Sequence, residues 1–410
     1  MAISEPSLRE AIGSIRRRAA EFFDSVDLRF PANVAGSPYA AHRLFYGLHE
    51  KQADECLERA SALCRSHGVN LTRAESEYDP VVESLLDAIC ASEPPFSGHE
   101  CIDETDFLEC LPRHYEKKQA RDGSLYLVRK TGTIPLVLIN AYGIGLAVWS
   151  RFLLDLSHDY RIVVVTSRAS DVISGSMHGT SSVEEDVAHI LDIIQCEHLS
   201  AVNVLAWSSA GRTAIRLAGE SRLFSSLSLV AITVKQVHDC GIPFMAHESE
   251  TSQLFRRLED QPALCDSVSH MFLRAKNAHD WRSYGAEMRG KILFSLPAAD
   301  RLSTLSRPVA DGSTLAYYGK RSLAEESHDV ASDLKRLTSP VKLITGQYDQ
   351  IVNNRRTAAM LQRSSAPKTS SEIRFAGHYP FDLEYWQFRA ALDVFLSACG
   401  SGRMPMPSFA

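Results

Sequence analysis

A pair of serines, an aspartate and a histidine define the chemistry open to this chain of 410 residues. The serines lie in "NVLAWSSAGRTA", residues 203–214, between an apolar run and a helical pattern. A serine at a sharp strand-to-helix turn has its Oγ pushed above the sheet edge. The residues two before and two after it must be small, because strand and helix backbones nearly touch there. With Ser208 at the apex the flanks are Ala206 and Ala210. With Ser209 at the apex one flank is Trp207, which would collide with the helix. Ser208 is therefore the expected nucleophile. Serine is weakly nucleophilic at neutral pH and needs a base that a carboxylate orients. Asp349 follows the apolar run "VKLITG", and His378 follows "IRFAG". Both fall where loops reach the carboxyl edge of a parallel sheet. Taken singly, Asp349 reads as a cap for the helix at "NNRRTAAML" and His378 as a solvated loop residue. Taken together, in the chain order Ser, Asp, His, they read as a catalytic triad. Asp239, after "LSLVAITVKQVH", is the second choice of acid.

Attack on an acyl carbonyl also needs N–H donors for the developing oxyanion. The backbone N–H of Ser209 is one. The second is expected from the loop after "PLVLIN", which reads Asn140-Ala141-Tyr142-Gly143-Ile144-Gly145, with Tyr142 N–H as the donor. The side chains of Tyr142 and Trp207 are candidates for substrate binding. Gly143-Ile144-Gly145 is an incomplete dinucleotide fingerprint and carries no nucleotide reading.

These groups need a sheet to hold them. From about residue 115 short apolar runs alternate with helical patterns: "GSLYLVRK", "PLVLINAYG", "YRIVVVTSR", "AVNVLAW" and "LSLVAITV". Apolar strands separated by helices imply a parallel sheet covered on both faces. The helix "SSVEEDVAHILDIIQ" opens with Ser182 and Glu185 in a capping-box spacing. Ala210, Ala214 and Ala218 recur at i+4 and give the helix after Ser208 a flat face. The alternation stops near residue 240 and resumes with "PVKLITG", "SEIRFAG" and a closing helix "LEYWQFRAALDVFLSA". The expected organisation is an N-terminal helical domain over 1–113, a core over 114–240 and 336–400, a helical lid over 241–335, and a disordered tail over 401–410. The N-terminal helices are expected at "PSLREAIGSIRRRAAEFF", after Ser37-Pro38 as far as Gly68, and after Asp79-Pro80. "FFDSVDL" resembles the phosphopantetheine serine of carrier proteins, but Pro31 follows too soon for a helix there.

Composition narrows the partners. Net charge is −6 with no long basic run, which disfavours nucleic acid. No apolar stretch reaches the roughly 18 residues that a membrane span needs, and the N-terminus lacks the apolar core of a secretory signal. The 9 cysteines form no C-x-x-C pair and fit reduced thiols in the cytoplasm. No zinc-ligand spacing is present. No metal or organic cofactor is expected.

The strand–turn–helix around Ser208, with Asp349 and His378 in order behind it, resembles the α/β-hydrolase superfamily over residues 115–397. The resemblance implies a mostly parallel sheet with a helical lid in the usual slot, Ser208 as nucleophile, Asp349 as acid, His378 as base, and Tyr142 and Ser209 as oxyanion donors. Two departures stand out. Gly-x-Ser-x-Gly is here Ala206-Trp207-Ser208-Ser209-Ala210, and the usual His-Gly is Asn140-Ala141. Asn140-Ala141-Tyr142-Gly143 is similar to a loop of stand-alone hydrolases that accompany polyketide and peptide assembly lines. The expected function is cleavage of an ester or thioester, as in a thioesterase of natural-product biosynthesis, through an acyl-enzyme on Ser208. The alternatives are an acyltransferase or cyclase using the same triad, and a non-catalytic ligand-binding protein. Phe244, Phe255, Phe272, Trp281, Tyr284, Phe294, Tyr317 and Tyr318 in the lid are candidates for an apolar acyl pocket. The N-terminal domain is the candidate contact for a carrier protein or a second copy of the chain.

Overall fold

The computed structural model describes residues 26–31, 69–74, 104–234, 242, 244–278, 304, 306–347, 349, 351–373 and 376–400. By contacts the chain divides into two units, one of residues 1–100 with 279–299, the other of 101–278 with 300–410.

In the first unit two strands, β1 (Val26–Pro31) and β2 (Val69–Ala74), pair in parallel. They fall inside the stretch read as helical, and the helices expected around them lie outside the described residues. A strand directly after Ser25 also agrees with the rejection of a carrier-protein site there.

The second unit opens with α1 (Glu104–His114), then β3 (Tyr115–Gln119), β4 (Leu125–Arg129), β5 (Ile134–Ile139), α2 (Ser150–Leu154), β6 (Tyr160–Val165) and α3 (Val183–Cys196). There follow β7 (Val202–Trp207), α4 (Ala210–Glu220) and β8 (Phe224–Val230). The inserted helices are α5 (Ala246–Asp260), α6 (Cys265–Ala278), α7 (Gly312–Ser327) and α8 (Val330–Arg336). Last come β9 (Val341–Gly346), α9 (Asn354–Leu361), β10 (Lys368–Ile373), α10 (Pro380–Leu383) and α11 (Tyr385–Gly400). The sheet order is β10-β9-β8-β7-β5-β6-β4-β3, with only β3 and β4 antiparallel to their neighbours.

The apolar strands explain the layering. Successive strand side chains point to opposite faces, so Leu136 and Leu138 of β5 enter one core while Val137 and Ile139 enter the other. Helices α3 and α4 cover the second face, where Ala210, Ala214 and Ala218 are buried as their spacing predicts. Gly211 brings α4 still closer to the sheet: a Cβ there would lie 2.5 Å from Ile232. The predicted capping box forms, with Glu185 N–H donating to Ser182 Oγ at 3.1 Å and Ser182 N–H to Glu185 Oε2 at 2.7 Å. The run "SLAEESHDVASDLKRL" spans the end of α7 and the whole of α8. Asp329 accepts from Ser332 N–H at 3.2 Å and starts α8 afresh. In the insertion, Phe255, Leu258, Cys265 and Leu315 form a small core of their own.

Candidate active site

Ser208 sits between β7 and α4 with φ 53°, a left-handed backbone that a non-glycine residue adopts only under constraint. Its N–H donates to Val230 O at 3.0 Å, and Gly211 N–H returns to its carbonyl at 3.1 Å. The flanks Ala206 and Ala210 are buried, as the steric argument requires.

His378 Nε2 lies 2.9 Å from Ser208 Oγ, and His378 Nδ1 lies 3.1 Å from Asp349 Oδ2. The three predicted residues therefore meet in one hydrogen-bonded chain. Asp349 divides its carboxylate between two tasks. Oδ1 accepts from Ile351 N–H at 2.9 Å and Val352 N–H at 3.0 Å, which closes a local turn and leaves Oδ2 for the histidine. The cap of α9 is Asn353, which accepts from Arg356 N–H at 3.2 Å, not Asp349. The acid and base loops touch through a glycine: a Cβ on Gly346 would lie 1.9 Å from Gly377 O. Asp239 lies outside the described residues.

Two tryptophans, unread as a pair in the sequence, hold the loops in place. Trp207 is 1% exposed and donates its indole N–H to His378 O at 3.1 Å. Its ring packs edge-on against Phe381 and Trp149. Trp207, a candidate for substrate binding from the sequence, is buried here and supports the loop carrying His378 from the core. Trp149 stacks on Phe381 at 3.7 Å and donates to Asn140 Oδ1 at 3.1 Å. Asn140 Nδ2 in turn donates to Ile144 O at 2.7 Å. The asparagine that replaces the usual histidine therefore braces the loop carrying Tyr142. No sequence period signals this, since the partner lies across a turn.

Ser209, directly after Ser208, is buried. Tyr142 follows β5, and its side chain is turned into a buried cluster. Its ring lies 5.1 Å from that of Tyr318 and 5.4 Å from the Arg321 guanidinium carbon. Burial, with Glu325 nearby, raises its phenol well above the usual range. Burial pushes the Tyr318 phenol up to about 12. Among the other aromatics of the insertion, Phe255 is in the insertion's own core, Phe244 carries the Arg356 guanidinium at 3.9 Å, and Phe272 is exposed. Tyr317 is partly buried, and Trp281, Tyr284 and Phe294 lie outside the described residues. Among the described residues no three His, Cys, Asp or Glu side chains are grouped to hold a metal ion, and no helix is long and apolar enough to cross a membrane.

No protein-family model and no curated protein matches the sequence. Solved structures do. A candidate lipase from Acinetobacter baumannii AYE is 15% identical, with 74% of this chain and 100% of that one covered and a TM-score of 0.51. A candidate aryl esterase from Burkholderia cenocepacia is 17% identical, with 70% and 99% covered and a TM-score of 0.51. A bromoperoxidase from Bacillus anthracis is 14% identical, with 69% and 100% covered and a TM-score of 0.50. With a mostly parallel sheet of eight strands and a serine at the turn after β7, this chain shares the fold of these structures, the α/β-hydrolase fold.

Proposed function

We propose that the chain is an acyl-transfer enzyme of the serine-hydrolase type that cleaves an ester or thioester through an acyl-enzyme on Ser208. The observation that carries this is the Ser208–His378–Asp349 hydrogen-bond chain on a strained left-handed serine. His378 Nε2 takes the Oγ proton as Ser208 attacks the carbonyl carbon. Asp349 holds the imidazole with its Nδ1 proton inward and stabilises the imidazolium. The carbonyl oxygen, now an alkoxide, is received by the N–H groups of Ser209 and Tyr142. His378 returns the proton to the departing alcohol or thiol, leaving the acyl group on Ser208. A second acceptor, water in a hydrolase, then repeats the sequence in reverse order of proton transfer. Lipase and esterase names among the solved structures of this fold accord with that reading.

One observation favours transfer or cyclisation as the second reading. Tyr318 and Pro308 of the insertion approach the backbone of Gly143 so closely that a Cβ there would lie 3.1 and 3.3 Å from them. A roof this close to the proposed oxyanion loop would limit water on that side, and that would favour an acceptor supplied by the substrate. A thioester-cleaving role in a biosynthetic pathway, with a carrier protein on the N-terminal unit, is the more specific form of the same proposal.

The test is covalent. A fluorophosphonate should add one probe mass to the full chain, on the peptide carrying Ser208, and leave Ser208→Ala unlabelled. Intact mass after incubation with a panel of esters and acyl thioesters should then show an acyl adduct. Labelling that persists in Ser208→Ala would refute the assignment, as would an unlabelled wild type with no turnover of any ester. The latter result would promote the ligand-binding reading.

A further inference from the structure

The proposed oxyanion loop is wedged between the segment joining β6 to α3 and residues of the insertion. On one side Gly175 abuts it, where a Cβ would lie 2.3 Å from Ile144 C. On the other, a Cβ on Gly145 would lie 2.7 Å from Thr304, and Pro308 and Tyr318 stand over Gly143. Tyr318 and Arg321 are three residues apart on α7 and so share one face. Both meet the Tyr142 ring.

Arg321 is 1% exposed and has a fixed anchor. Its Nη2 donates to Asp186 Oδ2 at 2.7 Å, and Glu325 Oε1 lies 3.4 Å away. Asp186 is itself held by Ser181 Oγ at 2.8 Å, Arg168 N–H at 2.9 Å and Ser167 Oγ at 3.1 Å. A buried charge pair of this kind is weak evidence for stability, because desolvation offsets its attraction. It does fix a geometry, since a guanidinium held by a carboxylate cannot wander. The cluster also reaches the nucleophile turn: Ala210, Thr213 and Arg321 line one small cavity with Asn140, Tyr142 and Asp186.

We propose that Arg321 is a positioning residue for the reaction: locked on Asp186, it holds the Tyr142 ring and thereby the backbone N–H that receives the oxyanion. The insertion is then a working part of the oxyanion hole, and α7 does not lift off during turnover. This rests on the reading of Ser208 as the acyl-accepting nucleophile.

Arg321→Met, Arg321→Lys, Tyr142→Ala and the Arg321→Met/Tyr142→Ala double variant of the full chain test it, with p-nitrophenyl butyrate turnover and the rate of fluorophosphonate labelling as readouts. Arg321→Met is expected to lower kcat about 10- to 100-fold with KM changed less than about threefold, because a misplaced donor is felt only in the transition state. The labelling rate should fall in parallel. Tyr142→Ala keeps its N–H but loses the ring, and should lower kcat similarly. The double variant should be no worse than the poorer single, since both changes sever one path. Should the Met variant fail to fold, Arg321→Lys keeps the charge and loses the planar contact, and should lower kcat about threefold or more. A folded Arg321 variant with wild-type kcat, a KM effect alone, or fully additive losses would overturn the assignment while leaving the acyl-enzyme intact. A wild type that is neither active nor labelled overturns the acyl reading first, and this assignment with it.

Discussion

The indole of Trp207 donates to the backbone carbonyl of His378 at 3.1 Å, so the residue before the proposed nucleophile holds the residue proposed as its base. The two ends of the Ser208–His378 contact are thereby tied through the core as well as across the site. Trp207→Phe should keep an aromatic ring against Trp149 and Phe381 while losing the N–H donor and part of the indole's volume. A kcat reduced about tenfold at nearly constant KM is expected, from a base loop displaced by a fraction of an ångström. Chemical denaturation should show a loss of about 1–2 kcal/mol for the unsatisfied buried carbonyl. An unchanged kcat in a destabilised variant would make Trp207 purely structural.

Asp349→Asn separates the two tasks of the carboxylate. The amide oxygen can still accept from Ile351 and Val352 N–H, so the turn should survive. The group facing His378 Nδ1 becomes an amide, which neither stabilises the imidazolium nor enforces the required tautomer. Turnover of p-nitrophenyl butyrate should fall about a thousandfold or more, with the melting temperature little changed. A loss below about tenfold would point to a different acid, and Asp239 would be the next residue to substitute.

What the sequence disclosed and what it hid divide along physical lines. The place of Ser208 at the turn was legible because sterics at Ala206 and Ala210 act within five residues of chain, and the apolar strands because burial on both faces leaves a continuous run. The role of Asn140 was not, because its partner Trp149 is met only after the chain turns into a 3-10 segment. β3 was missed because an edge strand tolerates "YEKKQ", in which only Tyr115 is buried. β1 and β2 were absorbed into a helical reading for a related reason: each has six residues, and its partner lies far along the chain. The buried charges Arg321 and Asp186 sit on faces that a helical period reads as ordinary polar positions, and only the fold brings them together.

Gly346 ends β9 where the acid and base loops meet. A Cβ there would lie 1.9 Å from Gly377 O and 2.6 Å from Ala376 O, both backbone atoms that cannot rotate away. Gly346→Ala should therefore cost about 3 kcal/mol of stability and lower kcat together, because relief requires moving the segment that carries His378. Gly179, where a Cβ meets nothing within 4 Å, is the control, and its alanine variant should stay within about 0.5 kcal/mol of wild type. Equal melting curves for the two variants would refute the close approach.

A second buried histidine makes stability depend on pH independently of the site. His158 is 6% exposed, its Nε2 donating to Phe152 O at 3.2 Å while Arg129 Nη1 donates to its Nδ1. Burial lowers its pKa to about 4; the Phe152 carbonyl opposes that shift and the Arg129 guanidinium reinforces it. The unfolded chain protonates the same imidazole at about 6.5. The folded state therefore binds fewer protons across this window, and stability rises with pH through it. The contribution is fully present above about pH 6.5 and is lost progressively as pH falls toward about 4. His158→Gln keeps a donor and an acceptor but does not titrate. Urea unfolding at pH 7 and pH 4.5 should show wild type losing roughly 2–3 kcal/mol more than the variant over that interval. Parallel losses in the two proteins would mean that His158 takes up its proton over the same pH range folded and unfolded, which the Arg129 guanidinium beside its Nδ1 argues against.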